Sequence, residues 1–228
     1  MSVDLPAPDV LVIGIGAIGH AFLRALHDQD ADSITLVDGD TVNAHNLSRQ
    51  PLFSISDIGT LKVDAARTAL LGARWPGKIQ IQPVFADRHN LAAMVEGRSL
   101  VADCTDDAHA KRAIDQACLE TGTPLISAAV HADQAQVILL HASMALGDAA
   151  ITRDELFIGK PGPGQDDCDM RRVPLKLLGS VGHRMVALWD DLRSGRDAMN
   201  GRVELLHGER WTMIAPPERR TTAWIPSR

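Results

Sequence analysis

Residues 10–26 read VLVIGIGAIGHAFLRAL, and this stretch decides the fold. Residues 10–15 form an apolar run broken only by Gly14, which fits a buried strand. From Ala17 to His27 the apolar residues Ile18, Ala21, Phe22, Ala25 and Leu26 recur at helical spacing. Between the two patterns, Gly14, Gly16 and Gly19 fit G-x-G-x-x-G. Without side chains, the backbone of such a turn can approach a phosphate while the first helical amides face it. A strand, a phosphate-binding turn and a helix are expected; the plainer alternative is a tight turn and nothing more.

The pattern continues downstream. Residues 33–37 form a second β-branched strand that ends in Asp38, some 20 residues beyond the glycines, where an acid would bind a ribose hydroxyl. A long polar loop over 41–51 follows, and Asp57 is placed to cap a helix over 58–71 that ends at Trp75-Pro76-Gly77. Further strands are expected at 78–85, 100–103, 124–129 and 134–141, with helices at 91–95 and 108–121. This alternation specifies an α/β, Rossmann-like fold: a mainly parallel, doubly wound sheet with helices on both faces. Residues 159–174 read as a Gly-, Pro- and Asp-rich loop, and 175–228 as a C-terminal extension with a helix over 175–192 and paired strands over 203–214. The whole of 1–228 is expected to be one nucleotide-binding domain, its core at 9–141.

Composition narrows the function. The 29 acidic against 23 basic side chains, a formal net charge of -6, disfavour broad binding to nucleic acid or anionic membrane. With 4% aromatics and no Tyr there is little from which to build base-stacking platforms. No apolar run approaches the roughly 20 residues of a membrane helix, and no signal-like start is seen, so a cytoplasmic protein is expected. Cys104, Cys118 and Cys168 are odd in number and widely spaced, so they read as free thiols, Cys104 and Cys118 as packing residues.

Glycines and Asp38 alone would suit NAD or FAD. Residues 34–66, ITLVDGDTVNAHNLSRQPLFSISDIGTLKVDAA, change that choice, because they crowd Asp38, Asp40, Asn46, Arg49, Gln50 and Lys62 into one strand, loop and helix start. Arg and Lys converging on a phosphate-binding turn supply fixed positive charge for a polyphosphate and for charge that develops when phosphorus is attacked. ATP chemistry suits these residues better than hydride transfer, in which Arg49, Lys62 and Asp106 would have no evident purpose.

The stretch resembles the ThiF/MoeB/HesA family, bacterial relatives of ubiquitin-activating enzymes. Asp38, Asp40, Asn46, Leu47, Arg49, Gln50, Asp57, Ile58, Gly59 and Lys62 match, in order, the family's D-x-D, N-L-x-R-Q and D-I-G-x-x-K. Residues 101–107, VADCTDD, resemble its D-C-T-D-N, followed by a helix carrying Arg112 and Cys118.

The resemblance implies an adenylyltransferase that uses ATP and Mg2+ to activate the C-terminal glycine carboxylate of a ubiquitin-like or sulfur-carrier protein. It places the nucleotide backbone on Gly14, Gly16, Ala17 and Gly19, with Asp40, Asn46 and Gln50 as further binding residues. The ribose falls to Asp38, the charged phosphates to Arg49 and Lys62, and the magnesium to Asp106. For Asp106 and Asp107 the alternative is a helix N-cap.

Cys168 stands near a position where some relatives carry a reactive thiol, although Asp166, Asp167 and Asp169 around it would oppose a thiolate. The resemblance also implies a homodimer. Two family features have no counterpart: there is no Arg before Arg24, and the paired Cys-x-x-Cys motifs are absent, so no structural zinc is expected. Pairing with another subunit, a catalytically inactive scaffold role, and adenylation of a small molecule or peptide stand as alternatives. Trp211 and Trp224, with Arg210, Arg219 and Arg220, suit either a partner surface or sheet packing.

Overall fold

The apolar run before the glycines forms β1 (Asp9–Ile13), and the periodic stretch after them α1 (Ala17–His27). The computed structural model describes residues 9–27, 33–142, 151–157, 173–195 and 200–214. Its other elements are β2 (Ser33–Val37), α2 (Lys62–Gly72), β3 (Ile79–Gln82), α3 (Leu91–Val95), β4 (Leu100–Asp103), α4 (Ala108–Thr121), β5 (Leu125–His131), β6 (Gln134–Leu140), α5 (Arg153–Leu156), α6 (Leu175–Ser194), β7 (Arg202–His207) and β8 (Arg210–Ile214). Cys168 and residues 159–172 around it, together with Trp224, Arg219 and Arg220, lie outside the described residues.

All eight strands form one sheet in the order β3-β2-β1-β4-β5-β6-β7-β8. The first five are parallel, and β6, β7 and β8 extend them antiparallel. One apolar cluster joins α1, α2 and α6 to one face, and a second joins α3 and α4 to the other. Covered on both sides, β1 buries Val10, Leu11, Val12 and Ile13, which is why it reads as a continuous apolar run and does not alternate. The long helix α6 crosses α1 at Gly182, where an added Cβ would stand 2.2 Å from the carbonyl oxygen of Ala21.

Three of the boundaries that differ from the sequence reading have a clear local cause. Helix α2 starts at Lys62 and not at 58, because Asp57 is used elsewhere: its Oδ2 accepts 2.7 Å bonds from the amide and hydroxyl of Ser54 and closes a short 3-10 turn at Ile55–Asp57. Gly59, at φ +89°, then breaks the helical path. Strand β3 stops at Gln82 because the next amide in line to face β2, that of Val84, donates instead to the carbonyl oxygen of Gln82 at 2.9 Å. Strand β6 ends at Leu140, before His141 turns to φ +54°.

The chain leaves β1 toward β2 and β3 on one side and later returns through β4 to β5 on the other. The order therefore reverses between β1 and β4, and the loops after β1, β2 and β4 open onto the crevice where ligands of such sheets bind.

A candidate nucleotide site at the reversal of strand order

The crevice is a cavity of about 590 Å³. It gathers Gly14, Gly16 and Ala17 from the turn after β1, and Asp38 and Asp40 from the end of β2. Asn46, Arg49, Gln50 and Lys62 come from the polar loop and the start of α2, and Asp106 from the β4–α4 turn. Gly19 stands behind this wall, and its role is one of space: a Cβ there would lie 2.2 Å from the carbonyl oxygen of Gly14. Gly14 itself has φ +91° and lies against the backbone of Cys104 and Thr105. Gly16 faces open space, with nothing within 4 Å of an added Cβ, so a ligand can come up to its backbone. Ala17 opens α1 without a left-handed backbone, so its side chain carries no conformational cost.

Asp38 does two things at once. Its Oδ2 accepts a 2.7 Å bond from Ile15 N, and its Oδ1 accepts a 2.8 Å bond from Asp40 N, so it ties the glycine turn to the end of β2. Lys62 Nζ donates to Asp40 Oδ2 at 2.8 Å and lies 3.9 Å from Asp38 Oδ2. The amide of Lys62 also donates to Asp40 O at 2.9 Å, which caps α2 without a side chain. The lysine ammonium is thus held at the cavity by the D-x-D acids.

Arg49 has no carboxylate partner among the described residues, and it also lines a second cavity of about 400 Å³ between α1, α2 and α6. Gln50 is buried in the first cavity's wall, with no hydrogen-bond partner for Oε1 among the described residues. A buried polar atom left unmatched in a cavity wall is one that a polar ligand would satisfy.

The two acids at α4 are used differently. Asp107 is the N-cap and accepts a 2.6 Å bond from Ala110 N. Asp106 is exposed on the cavity wall and does not cap the helix. No cluster of three or more His, Cys, Asp or Glu side chains among the described residues is placed to hold a metal ion. One carboxylate beside substrate phosphates nonetheless suits magnesium, which keeps most of its waters.

Several residues in and behind the cavity wall carry no motif signal in the sequence. Arg112 points outward to Asp154, while Lys111, one residue earlier, turns into the buried stripe of α4 and lines the cavity. It meets Asp103, wholly buried at the end of β4. The signal was present in the spacing of Lys111, Ile114, Asp115 and Cys118, an inward face with charges on it. His20, on α1, accepts a 3.2 Å bond at Nδ1 from Leu52 N, and its ring meets Phe53 edge-on. Burial, then the charges of Lys62 and Arg24, push its pKa down to about 3, so the ring is neutral. Phe85 covers Gly39 at the cavity rim. Cys104 and Cys118 are packing residues as expected: burial first, then Asp103 for Cys104 and Asp115 for Cys118, raises both thiols far above the ordinary range.

Residues 4–203 match the ThiF family. A molybdopterin-synthase adenylyltransferase of Salmonella typhimurium is 39% identical over 130 residues, covering 56% of this chain and 51% of that protein. The SAMP-activating enzyme E1 of Haloferax volcanii is 29% identical over 176 residues, covering 76% of this chain and 62% of that protein. The chain spans about half the length of the curated molybdopterin-synthase relatives it matches. Among solved structures, E. coli MccB with ATP superposes at TM-score 0.70 with 16% identity, covering 92% of this chain and 63% of that one. PaaA superposes at 0.68 with 21% identity, covering 91% and 64%. At these identities the structural likeness establishes the fold alone. No helix among the described residues is long and apolar enough to cross a membrane. With the family pattern spanning most of its length and its motif residues gathered on one crevice, this chain belongs to the ThiF family.

Proposed function

We propose that the protein is an ATP-dependent adenylyltransferase that activates the C-terminal glycine carboxylate of a ubiquitin-like or sulfur-carrier protein. The observation that carries this reading is the convergence of the glycine turn, Asp38, Arg49, Lys62 and Asp106 on one cavity at the reversal of strand order. The names of the relatives, adenylyltransferases and an E1 among them, support the reaction class.

In this reading the backbone of residues 14–17 approaches the phosphates of ATP, and Asp38 accepts from a ribose hydroxyl. The carrier's carboxylate oxygen attacks the α-phosphorus, the bond to the bridging oxygen breaks, and pyrophosphate leaves with that electron pair. Arg49 and Lys62 offset the charge that builds on the phosphoryl oxygens, an effect strengthened where water is excluded. Asp40 keeps Lys62 extended toward the site before ATP arrives. Asp106 would hold magnesium, which neutralises phosphate charge and helps pyrophosphate depart. A carboxylic acid is already ionised at pH 7, so no general base is needed.

Intact-mass measurement of a carrier ending in Gly-Gly, incubated with the protein, ATP and magnesium, tests this. The expected product is a carrier heavier by one AMP moiety; a carrier of unchanged mass, with ATP bound by the protein, would overturn the assignment of the acceptor.

A further inference from the structure

Asp103 ends β4 wholly buried, three residues before Asp106. Four groups satisfy its carboxylate. Oδ2 accepts from Lys111 Nζ at 3.0 Å and from Ser127 Oγ at 2.6 Å. Oδ1 accepts from the amide of Thr105 at 3.0 Å and from its hydroxyl at 2.7 Å. One oxygen therefore faces the interior charge, and the other pins the backbone that leads to Asp106.

Lys111 lines the nucleotide cavity, yet its protons are committed. Nζ donates to Asp103 Oδ2, to the carbonyl oxygen of Ala128 at 2.8 Å, and to Ser127 Oγ at 3.5 Å. Ser127 in turn accepts a 3.0 Å bond from Arg153. A lysine with all three protons spent inside the protein is poorly placed to grip a phosphate. Its charge serves Asp103 instead: burial alone would push that carboxyl up, but Lys111, the hydroxyls of Ser127 and Thr105, and Arg153 together hold it below the ordinary range. Removing Lys111 leaves a buried carboxylate short of its main counter-charge, and such a group takes up a proton or draws in water. Either change disturbs the oxygen that fixes Thr105.

We propose that Lys111 is a positioning residue: acting through Asp103 and Thr105, it fixes the β4–α4 turn so that Asp106 can serve magnesium-bound ATP. This rests on the reading of the cavity as a Mg-ATP site. Residues behind a metal ligand commonly change metal affinity 10- to 100-fold when altered, although they never touch the ion.

The test uses the full chain with Lys111→Met, Lys111→Arg and Thr105→Val, and two measurements. Hydrogen exchange without nucleotide reads the turn directly. Lys111→Met is expected to speed exchange over residues 103–107 by about tenfold or more while β1 stays as protected as in the wild type. Calorimetry reads ATP affinity with magnesium and with a chelator. Lys111→Met is expected to weaken Mg-ATP by about tenfold or more and to leave free ATP within about twofold, with Lys111→Arg recovering part of the loss. Thr105→Val, which removes only the hydroxyl contact, is expected to move both readings the same way by less, and it carries the test if Lys111→Met does not fold. Unchanged exchange at 103–107, or equal loss of Mg-ATP and free ATP, overturns the inference. A wild type that binds no ATP overturns the proposed function itself, and that control distinguishes the two failures.

Discussion

Asp38 Oδ2 accepts a 2.7 Å hydrogen bond from Ile15 N, so the acid at the end of β2 braces the glycine turn at the end of β1. The same carboxylate holds the amide of Asp40 through its other oxygen. A residue read as a ribose ligand is thus also part of the frame that shapes the phosphate turn. Asp38→Ala is expected to lower stability by about 2 kcal/mol, the scale of losing a hydrogen bond to a charged acceptor. ATP affinity should fall further than that of a variant destabilised equally elsewhere. Denaturant unfolding and calorimetry on the same preparation check both.

The second and third glycines of the turn make opposite predictions. Gly19→Ala puts a methyl 2.2 Å from the carbonyl oxygen of Gly14, so backbone must move, at a cost of about 1–3 kcal/mol. Gly16→Ala meets nothing within 4 Å and is expected to leave the unfolding midpoint near the wild type while weakening ATP binding. Equal stability of the two variants would contradict the packing described at Gly19.

Lys62 stands beside Asp38 and Asp40 with an ammonium that the adenylation reading assigns to phosphate charge. Lys62→Ala is expected to slow acyl-adenylate formation by about a hundredfold or more, the range seen when one charge-stabilising donor is removed. The folded state should persist, as shown by circular dichroism and unfolding.

His20 gives the protein a pH signature. Its pKa falls from 6.5 to about 3 on folding, chiefly through burial. Between these values the unfolded chain binds a proton that the folded one does not, so stability drops as pH falls below about 6.5, by up to about 1.4 kcal/mol per pH unit. From pH 7 to 5 the wild type is expected to lose about 2 kcal/mol more than His20→Gln. Denaturant unfolding at both pH values checks this, and equal losses would contradict a neutral buried ring.

Much of the site could be read from the sequence because its parts are local. The glycine turn needs only its own backbone, and Asp38, Asp40 and Lys62 follow within one strand, loop and helix start. What sequence alone left hidden joins distant segments: Asp103, Lys111, Ser127 and Arg153 come from four elements, and the charges on α4 find their partners only when β4, β5 and α5 surround them. Asp57 misled for a related reason. Its residue type suits a helix cap, but Ser54, three residues earlier, claims it for a 3-10 turn, and Gly59 delays the helix to Lys62. In the antiparallel extension, β5–β6 and β7–β8 are tight hairpins that obey local turn rules, whereas the pairing of β7 on β6 joins segments with α6 between them and was beyond reach.

The most direct test of the central claim is isotope exchange between labelled pyrophosphate and ATP, run with magnesium and a carrier protein ending in Gly-Gly. Reversible attack of the carrier's carboxylate on the α-phosphorus predicts label entering ATP only when the carrier is present. That exchange is predicted to vanish in Lys62→Ala and Asp106→Ala. No exchange with any such carrier, together with tight binding of NAD in place of ATP, would contradict the account.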